Sequence, residues 1–199
     1  MGKVVAGITT SLDGYITGPD DGPERGLGIG GERLHYWVFG GPWTYEDHPD
    51  GEATGVDKEL LDEAFGRVGA VVGGRGTYEA ADHWDGRNPF DVPMFIVTHR
   101  VEEAPPAETG FTFVGDFEDA LRQAREAAGD KDVSVMGGAD VIRQALRGGH
   151  VEELTISIAP VVLGAGKRLF DGFDESFELE HIRVMQSPFA THLQYRVRP

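Results

Sequence analysis

The sequence predicts an α/β fold: a single domain over 1–199, three layers deep, with one mixed, mostly parallel sheet of about eight strands and an antiparallel C-terminal edge. Two observations predict it. Up to residue 150, short apolar runs alternate with segments of helical period, a pattern that pairs strands in parallel through helical crossovers. Beyond residue 150, three strand-like runs follow one another with no helical pattern between them, which implies antiparallel pairing at one side of the sheet.

The elements follow in order from period and breaker residues. Val4 to Ile8 is short and apolar, as a buried strand is. Residues 17–31 are rich in Gly, Pro and Asp and read as loop. Glu32 to Phe39 reads as a short helix with Leu34, Trp37 and Val38 as its apolar stripe. Residues 40–55 are loop again. Val56 to Phe65 is a helix, because Leu60, Leu61, Ala64 and Phe65 recur at helical spacing. Val68 to Val72 is a strand that runs into Gly73-Gly74-Arg75-Gly76-Thr77, with a short helix expected from Thr77. Met94 to Thr98 and Phe111 to Val114 are strands. Asp116 is placed to cap a helix through Ala128. Val133 to Met136 is a strand that runs into Gly137-Gly138-Ala139-Asp140, and Val141 to Leu146 continues as a helix ending near Gly148-Gly149. Leu154 to Ile158, Phe177 to Met185 and His192 to Val197 form the strand-only tail.

Composition narrows the function. The 199 residues carry 18 Lys and Arg against 34 Asp and Glu, a formal charge of −16. A nucleic-acid partner needs a basic face, so none is expected. With no cysteine, disulfides, thiolate metal sites and cysteine nucleophiles are excluded. The histidines show no ligand spacing, so no metal is expected. No apolar run approaches the roughly 20 residues of a membrane-spanning helix, and Met1-Gly2-Lys3 leads straight into the first strand without a signal-peptide pattern. The expectation is a cytoplasmic protein with no membrane partner.

An acidic chain can still bind an anion where its few cations and its backbone N–H groups converge. Two segments have that form. Val133 to Ile142 passes from strand through a glycine pair into a helix, which reads either as a tight turn that binds nothing or as a place where a ligand phosphate approaches the backbone and meets the helix start. Ala70 to Glu79 repeats the arrangement and adds Arg75, which reads either as a solvated loop residue or as a planar guanidinium suited to a phosphate. His99-Arg100 is a third cation source after a strand. By contrast, Gly26-Leu27-Gly28-Ile29-Gly30-Gly31 fits G-x-G-x-x-G in letters only. No strand precedes it, and it reads as a flexible loop. Asp13-Gly14 is a turn signal at the end of the first strand, where ligands collect in open α/β sheets. Trp37, Phe39 and Trp43 read either as pocket lining or as core. The serines sit in no G-x-S-x-G elbow, which disfavours a serine hydrolase.

Four pieces in order, Ser11-Leu12-Asp13-Gly14-Tyr15-Ile16, Gly74-Arg75-Gly76-Thr77-Tyr78-Glu79, Val135-Met136-Gly137-Gly138-Ala139 and Ile158-Ala159-Pro160-Val161-Val162-Leu163-Gly164-Ala165-Gly166, resemble the dihydrofolate-reductase-like superfamily. Within it they resemble the reductase domain of the riboflavin-biosynthesis deaminase-reductase and its stand-alone bacterial relatives. The resemblance implies an NADPH-dependent reductase and a homodimer. It places Gly74, Arg75 and Thr77 at the adenosine-side phosphates, and Thr98, His99 or Arg100 near the adenine or the 2′-phosphate. Gly137, Gly138, Ala139 and Val141 take the pyrophosphate, while Ile8, Thr9 and Ile16 flank the nicotinamide. Leu163 and Gly164 border the substrate side, with Trp37 near it. Lys167 and Arg168 are candidates for a substrate phosphate. Asp13 is the expected catalytic residue, touching substrate or orienting the nicotinamide loop.

The match also has departures. Dihydrofolate reductases carry a carboxylate on the first helix, and the stretch read as matching it, Arg33 to Phe39, has none, with Glu32 only at its start. That turns the expectation from folate or pterin reduction, the alternative, toward an aminopyrimidine ribosyl phosphate. A non-catalytic NADP-binding protein is the further alternative. The zinc deaminase half needs cysteine ligands, so the expectation is for the reductase half alone.

Overall fold

In a computed structural model, residues 2–47 and 51–198 are described, so 48–50, within the predicted 40–55 loop, lie outside the described residues. Eight strands form one sheet: β1 (Val4–Ser11), β2 (Val68–Gly74), β3 (Met94–Val97), β4 (Phe111–Val114), β5 (Asp132–Met136), β6 (Glu153–Ala159), β7 (Glu178–Gln186) and β8 (Thr191–Arg198). Their spatial order is β4-β3-β2-β5-β1-β6-β8-β7. The pairs from β4 to β6 are parallel, and β6 with β8 and β8 with β7 are antiparallel. The predicted mixed sheet and its antiparallel C-terminal edge are both present.

Four α-helices flank the sheet: α1 (Gly55–Arg67), α2 (Arg75–Ala80), α3 (Phe117–Ala128) and α4 (Ala139–Arg147). Alternation along the strands assigns the layers. Ala70, Val72, Val133 and Val135 point to one face and pack with Leu121, Ala124, Ile142 and Ala145 of α3 and α4. Val71, Met94 and Ile96 point to the other, under Tyr78 of α2. Further along that second face, Leu60 of α1 packs with Trp37 and Ala190. Asp116 caps α3 as expected, its Oδ1 accepting from the Asp119 N–H at 2.9 Å. None of the helices among the described residues is long and apolar enough to cross a membrane.

Three expectations need correction. The helix read over Glu32 to Phe39 is only a single 3-10 turn, Gly31–His35, followed by further turns to Gly40. Its apolar residues are held by tertiary packing, with Leu34 against Ala159 and Val161, and Trp37 against Leu60 and Ala190. The helix expected from Thr77 starts two residues earlier, at Arg75. The Gly26 to Gly31 loop is tied down rather than loose. Gly18 N–H donates to the Leu27 carbonyl at 2.7 Å, Ile29 N–H to the Pro19 carbonyl at 2.8 Å, and the Leu27 N–H to the Tyr45 hydroxyl at 2.7 Å. A Cβ on Gly28 would meet the Gly18 carbonyl oxygen at 2.4 Å, so its glycine serves close loop packing.

Candidate active site

The two glycine turns, about sixty residues apart in sequence, meet because β2 and β5 are neighbours in register, Gly73 opposite Met136. The Gly74 N–H donates to the Gly137 carbonyl at 3.1 Å. Helices α2 and α4 begin there, so the free N–H groups of both first turns face one place. The peptide between Gly137 and Gly138 is cis. There is no room for side chains: a Cβ on Gly74 would meet Val141 Cγ2 at 2.9 Å, and one on Gly137 would meet Thr77 Oγ1 at 2.9 Å.

A cleft of about 1650 Å³ runs from this junction along the α1 and α2 face of the sheet. Most of the expected residues line it: Ile8, Thr9, Ile16, Trp37, Gly74, Arg75, Thr77, Thr98, His99, Arg100, Gly137, Gly138, Ala139, Val141, Lys167 and Arg168. Asp13, Leu163 and Gly164 stand outside the cleft lining. Toward α1 the sheet supplies a floor of small and polar side chains, with Val5, Gly7, Ser134, Thr155, Ser157 and Gln194 below Leu60, Leu61 and Ala64. Half-buried His35 also borders the cleft. Burial pushes its imidazole down to about 4, so it is neutral at pH 7.

Asp13 does not reach across the cleft. Its Oδ1 accepts from the Ser11 hydroxyl at 2.6 Å and from the Leu163 N–H at 3.1 Å, and its Oδ2 from the Gly164 N–H at 2.8 Å. The Ser11 hydrogen bond, aided by those two backbone donors, lowers its carboxyl to about 2. An acid that strong is ionised at neutral pH and holds no proton to give. It ties the end of β1 to the 163–164 loop.

The expected cations are also engaged. Arg75 pairs with Glu79 and Glu103, each at 2.7 Å, and lies over the rings of Tyr78 and Phe113. Its Nη1 is buried with no hydrogen-bond partner. Lys167 pairs with Asp21. Arg168 donates to the Asp13 carbonyl and the Tyr15 hydroxyl, both at 2.9 Å, and stacks on Tyr15.

Residues that sequence reading missed lie at the antiparallel side. The first α-helix is α1, and it carries Asp57, 3% exposed. Asp57 Oδ1 is 2.7 Å from His192 Nε2, and His192 Nδ1 is 2.8 Å from Ser157 Oγ. With the Asp57 carboxylate accepting, Nε2 is the donor and Nδ1 faces the serine hydroxyl. Ser157 and His192 are register partners on β6 and β8, and Thr9 on β1 is the next partner in the same row. Trp37 covers the row. Its Nε1 donates to Thr9 Oγ1 at 3.0 Å, and its ring meets that of His192 edge-on at 4.9 Å. The sequence signal is weak, because β6 and β8 carry other polar residues besides Ser157 and His192.

Comparison with known proteins fits this architecture. Among solved structures, a protein described as a riboflavin biosynthesis protein from Shewanella sp. PV-4 superposes with a TM-score of 0.73 at 24% identity, over 99% of each chain. Dihydrofolate reductase from Enterococcus faecalis, complexed with NADP(H), superposes with a TM-score of 0.64 at 14% identity, over 100% of this chain and 98% of that one. The diaminohydroxyphosphoribosylaminopyrimidine deaminase/5-amino-6-(5-phosphoribosylamino)uracil reductase from Thermotoga maritima gives 0.63 at 14%, over 99% of this chain and 57% of that one. At these identities the likeness is one of fold, and the fold is dihydrofolate-reductase-like. Among curated protein sequences none matches significantly. The model of the RibD C-terminal domain matches residues 2–190, and the chain belongs to that family.

Proposed function

We propose that this protein is an NADPH-dependent reductase of a small heterocyclic substrate, of the kind that reduces 5-amino-6-(5-phosphoribosylamino)uracil. Family membership supports an oxidoreductase. The observation that carries the cofactor is the joined pair of glycine turns, Gly74 bonded to Gly137 at the starts of α2 and α4. Their missing side chains leave a backbone cradle for a pyrophosphate, and the orphan Nη1 of Arg75 is a donor in want of an acceptor. Arg100, Thr98 and His99 border the same end of the cleft and suit the adenosine 2′-phosphate. When bound, NADPH supplies the hydride. Ile8, Thr9 and Ile16 shape the wall along which its nicotinamide would lie, and Asp13 fixes the neighbouring 163–164 loop.

On the substrate side, the hydroxyl and amide groups of Ser134, Thr155 and Gln194 offer hydrogen bonds to the edge of a heterocycle or to a polyhydroxyl chain. Lys167 and Arg168 would have to exchange their present partners to meet a substrate phosphate. The discriminating experiment measures NADPH and NADH binding, then NADPH oxidation with the aminopyrimidine ribosyl phosphate and with dihydrofolate. The expected result is preference for NADPH and turnover of the aminopyrimidine. Turnover of dihydrofolate alone would favour the second reading, pterin reduction, which Asp57 on the first α-helix keeps open. Binding without oxidation of NADPH by either substrate would make the protein a cofactor-binding module.

A further inference from the structure

The reduction has a second requirement. Hydride transfer to a C=N or C=O carbon leaves an electron pair on the heteroatom, which must take a proton. Asp13 holds none at neutral pH. His35 borders the cleft but is neutral, and burial disfavours its charging. The Asp57–His192–Ser157 chain has the form of a proton source. Its three residues are 3%, 0% and 3% exposed, and it is continuous at 2.7 and 2.8 Å. Of the three, only Ser157 lines the cleft, so the chain has one outlet. That outlet lies one strand from Thr9, the register partner of Ser157 on the nicotinamide wall. Trp37 covers the serine–histidine row.

Structural economy alone does not account for this chain. The same positions filled by apolar residues would pack β6, β8 and α1 without burying a carboxylate and an imidazole. The Trp37 ring meets His192 edge-on, and the register partner of Ser157 on β1 is the uncharged Thr9.

We infer that Ser157, backed by His192 and Asp57, delivers the proton that completes the reduction. The inference rests on the reductase reading above. The step starts once the chain has taken one proton from the cleft, so that His192 carries hydrogen on both nitrogens beside the Asp57 carboxylate; the hydride then forms the new C–H bond. The C=N or C=O π pair moves to the heteroatom and takes the Ser157 hydroxyl proton. Ser157 recovers a proton from His192 Nδ1. His192 ends neutral, with its Nε2 proton still held by Asp57. After product leaves, solvent in the cleft returns a proton along the same path. Ser157 is the catalytic residue here, while His192 and Asp57 act through it.

The test compares wild type with Ser157→Ala, Ser157→Thr and Asp57→Asn. It uses NADPH oxidation with the aminopyrimidine ribosyl phosphate and with dihydrofolate, NADPH binding by fluorescence, and thermal melting. Ser157→Ala should lower kcat by about 100-fold or more, the usual scale for losing a positioned proton donor. It should leave the NADPH Kd and the substrate KM nearly unchanged. Ser157→Thr keeps a hydroxyl at the outlet and should recover most of the rate. A structural role would not be rescued this way. A readout apart from turnover is the nitrogen-15 spectrum of the His192 ring in the cofactor-free protein. Its hydrogen-bonded Nε2–H signal should shift in Asp57→Asn, and its Nδ1 signal in Ser157→Ala. If wild type turns over while Ser157→Ala keeps its full kcat, the relay is wrong and the reductase reading stands. If wild type oxidises NADPH with neither substrate, the reductase reading fails and the relay falls with it. If Asp57→Asn does not fold, the Ser157 pair still decides.

Discussion

The two sides of the cleft are built on different principles. On the parallel side, β2 ends in Gly74 and β5 runs directly into Gly137, and binding is left to backbone N–H groups, with Gly74 bonded to Gly137. On the antiparallel side, β6, β8 and α1 bring together three polar side chains from positions 57, 157 and 192. The first side works by leaving side chains out, and the second by burying side chains that normally stay wet. A backbone cradle tolerates almost no added volume. A side-chain relay tolerates small changes of shape but no loss of a hydrogen-bonding atom. The same contrast appears in the cations. Arg75, Lys167 and Arg168 already have carboxylate, carbonyl or hydroxyl partners. Charge near this cleft therefore mostly positions loops, and only Arg75 Nη1 is left without a protein partner among the described buried side-chain atoms of these three.

The largest effect should come from filling the cradle. Gly74→Val places a Cβ at 2.9 Å from Val141 Cγ2 and 3.7 Å from the Gly138 nitrogen, so the second glycine turn must shift to admit it. Overpacking of this kind costs about 1–3 kcal/mol in strain alone. With the cradle also displaced, NADPH affinity should fall by at least about 100-fold, read by fluorescence titration. Wild-type affinity in a folded Gly74→Val protein would overturn the cradle and leave the antiparallel side as the only part of the site with a specific role.

A smaller effect separates cation from backbone. Arg75→Ala removes the orphan Nη1 and releases Glu79 and Glu103, two carboxylates that would then repel a phosphate. If Arg75 rather than Arg100 meets the 2′-phosphate, NADPH binding should weaken by about tenfold more than NADH binding, the scale of one charge-assisted hydrogen bond. Equal losses for the two cofactors would remove Arg75 from the 2′-phosphate and leave Arg100 as the remaining candidate, with Arg100→Ala as the next measurement.

How far each side could be read in the sequence follows from the same contrast. The glycine turns are local: strand, glycines and helix are contiguous in Val71–Thr77 and Val133–Ile142, so period and breaker suffice. The strand-only tail was equally local and gave the antiparallel edge. The relay was not legible. Ser157 and His192 become neighbours only through the register of β6 on β8, and a shift by one residue would turn either side chain to the other face. Asp57 was overlooked because the first helix was taken from an apolar stripe at Leu34, Trp37 and Val38. That stripe belongs to two separate packing clusters, at and just after a 3-10 turn, and side chains held by tertiary contacts imitate helical spacing. Asp13 was legible as a turn but not as the tie to a distant loop. Its partners Leu163 and Gly164 lie 150 residues away and are invisible to a local motif.

The smallest expected effect tests that tie. Asp13 has a folded pKa of about 2 against an ordinary 3.8, so between those values the folded protein binds fewer protons than the unfolded chain. Its contribution to stability is therefore complete above about pH 4 and is lost as pH falls through about 2. Asp13→Asn keeps an acceptor for the Leu163 or Gly164 N–H but cannot titrate. Denaturant unfolding from pH 5 to pH 2 should show a shallower acid decline for the variant than for wild type, with NADPH binding at neutral pH nearly unchanged. Parallel acid limbs would mean that the carboxylate is not held by the 163–164 loop. A loss of turnover at pH 7 with no change in stability would return Asp13 to the chemistry and move the proton-handling group from the antiparallel side to the end of β1.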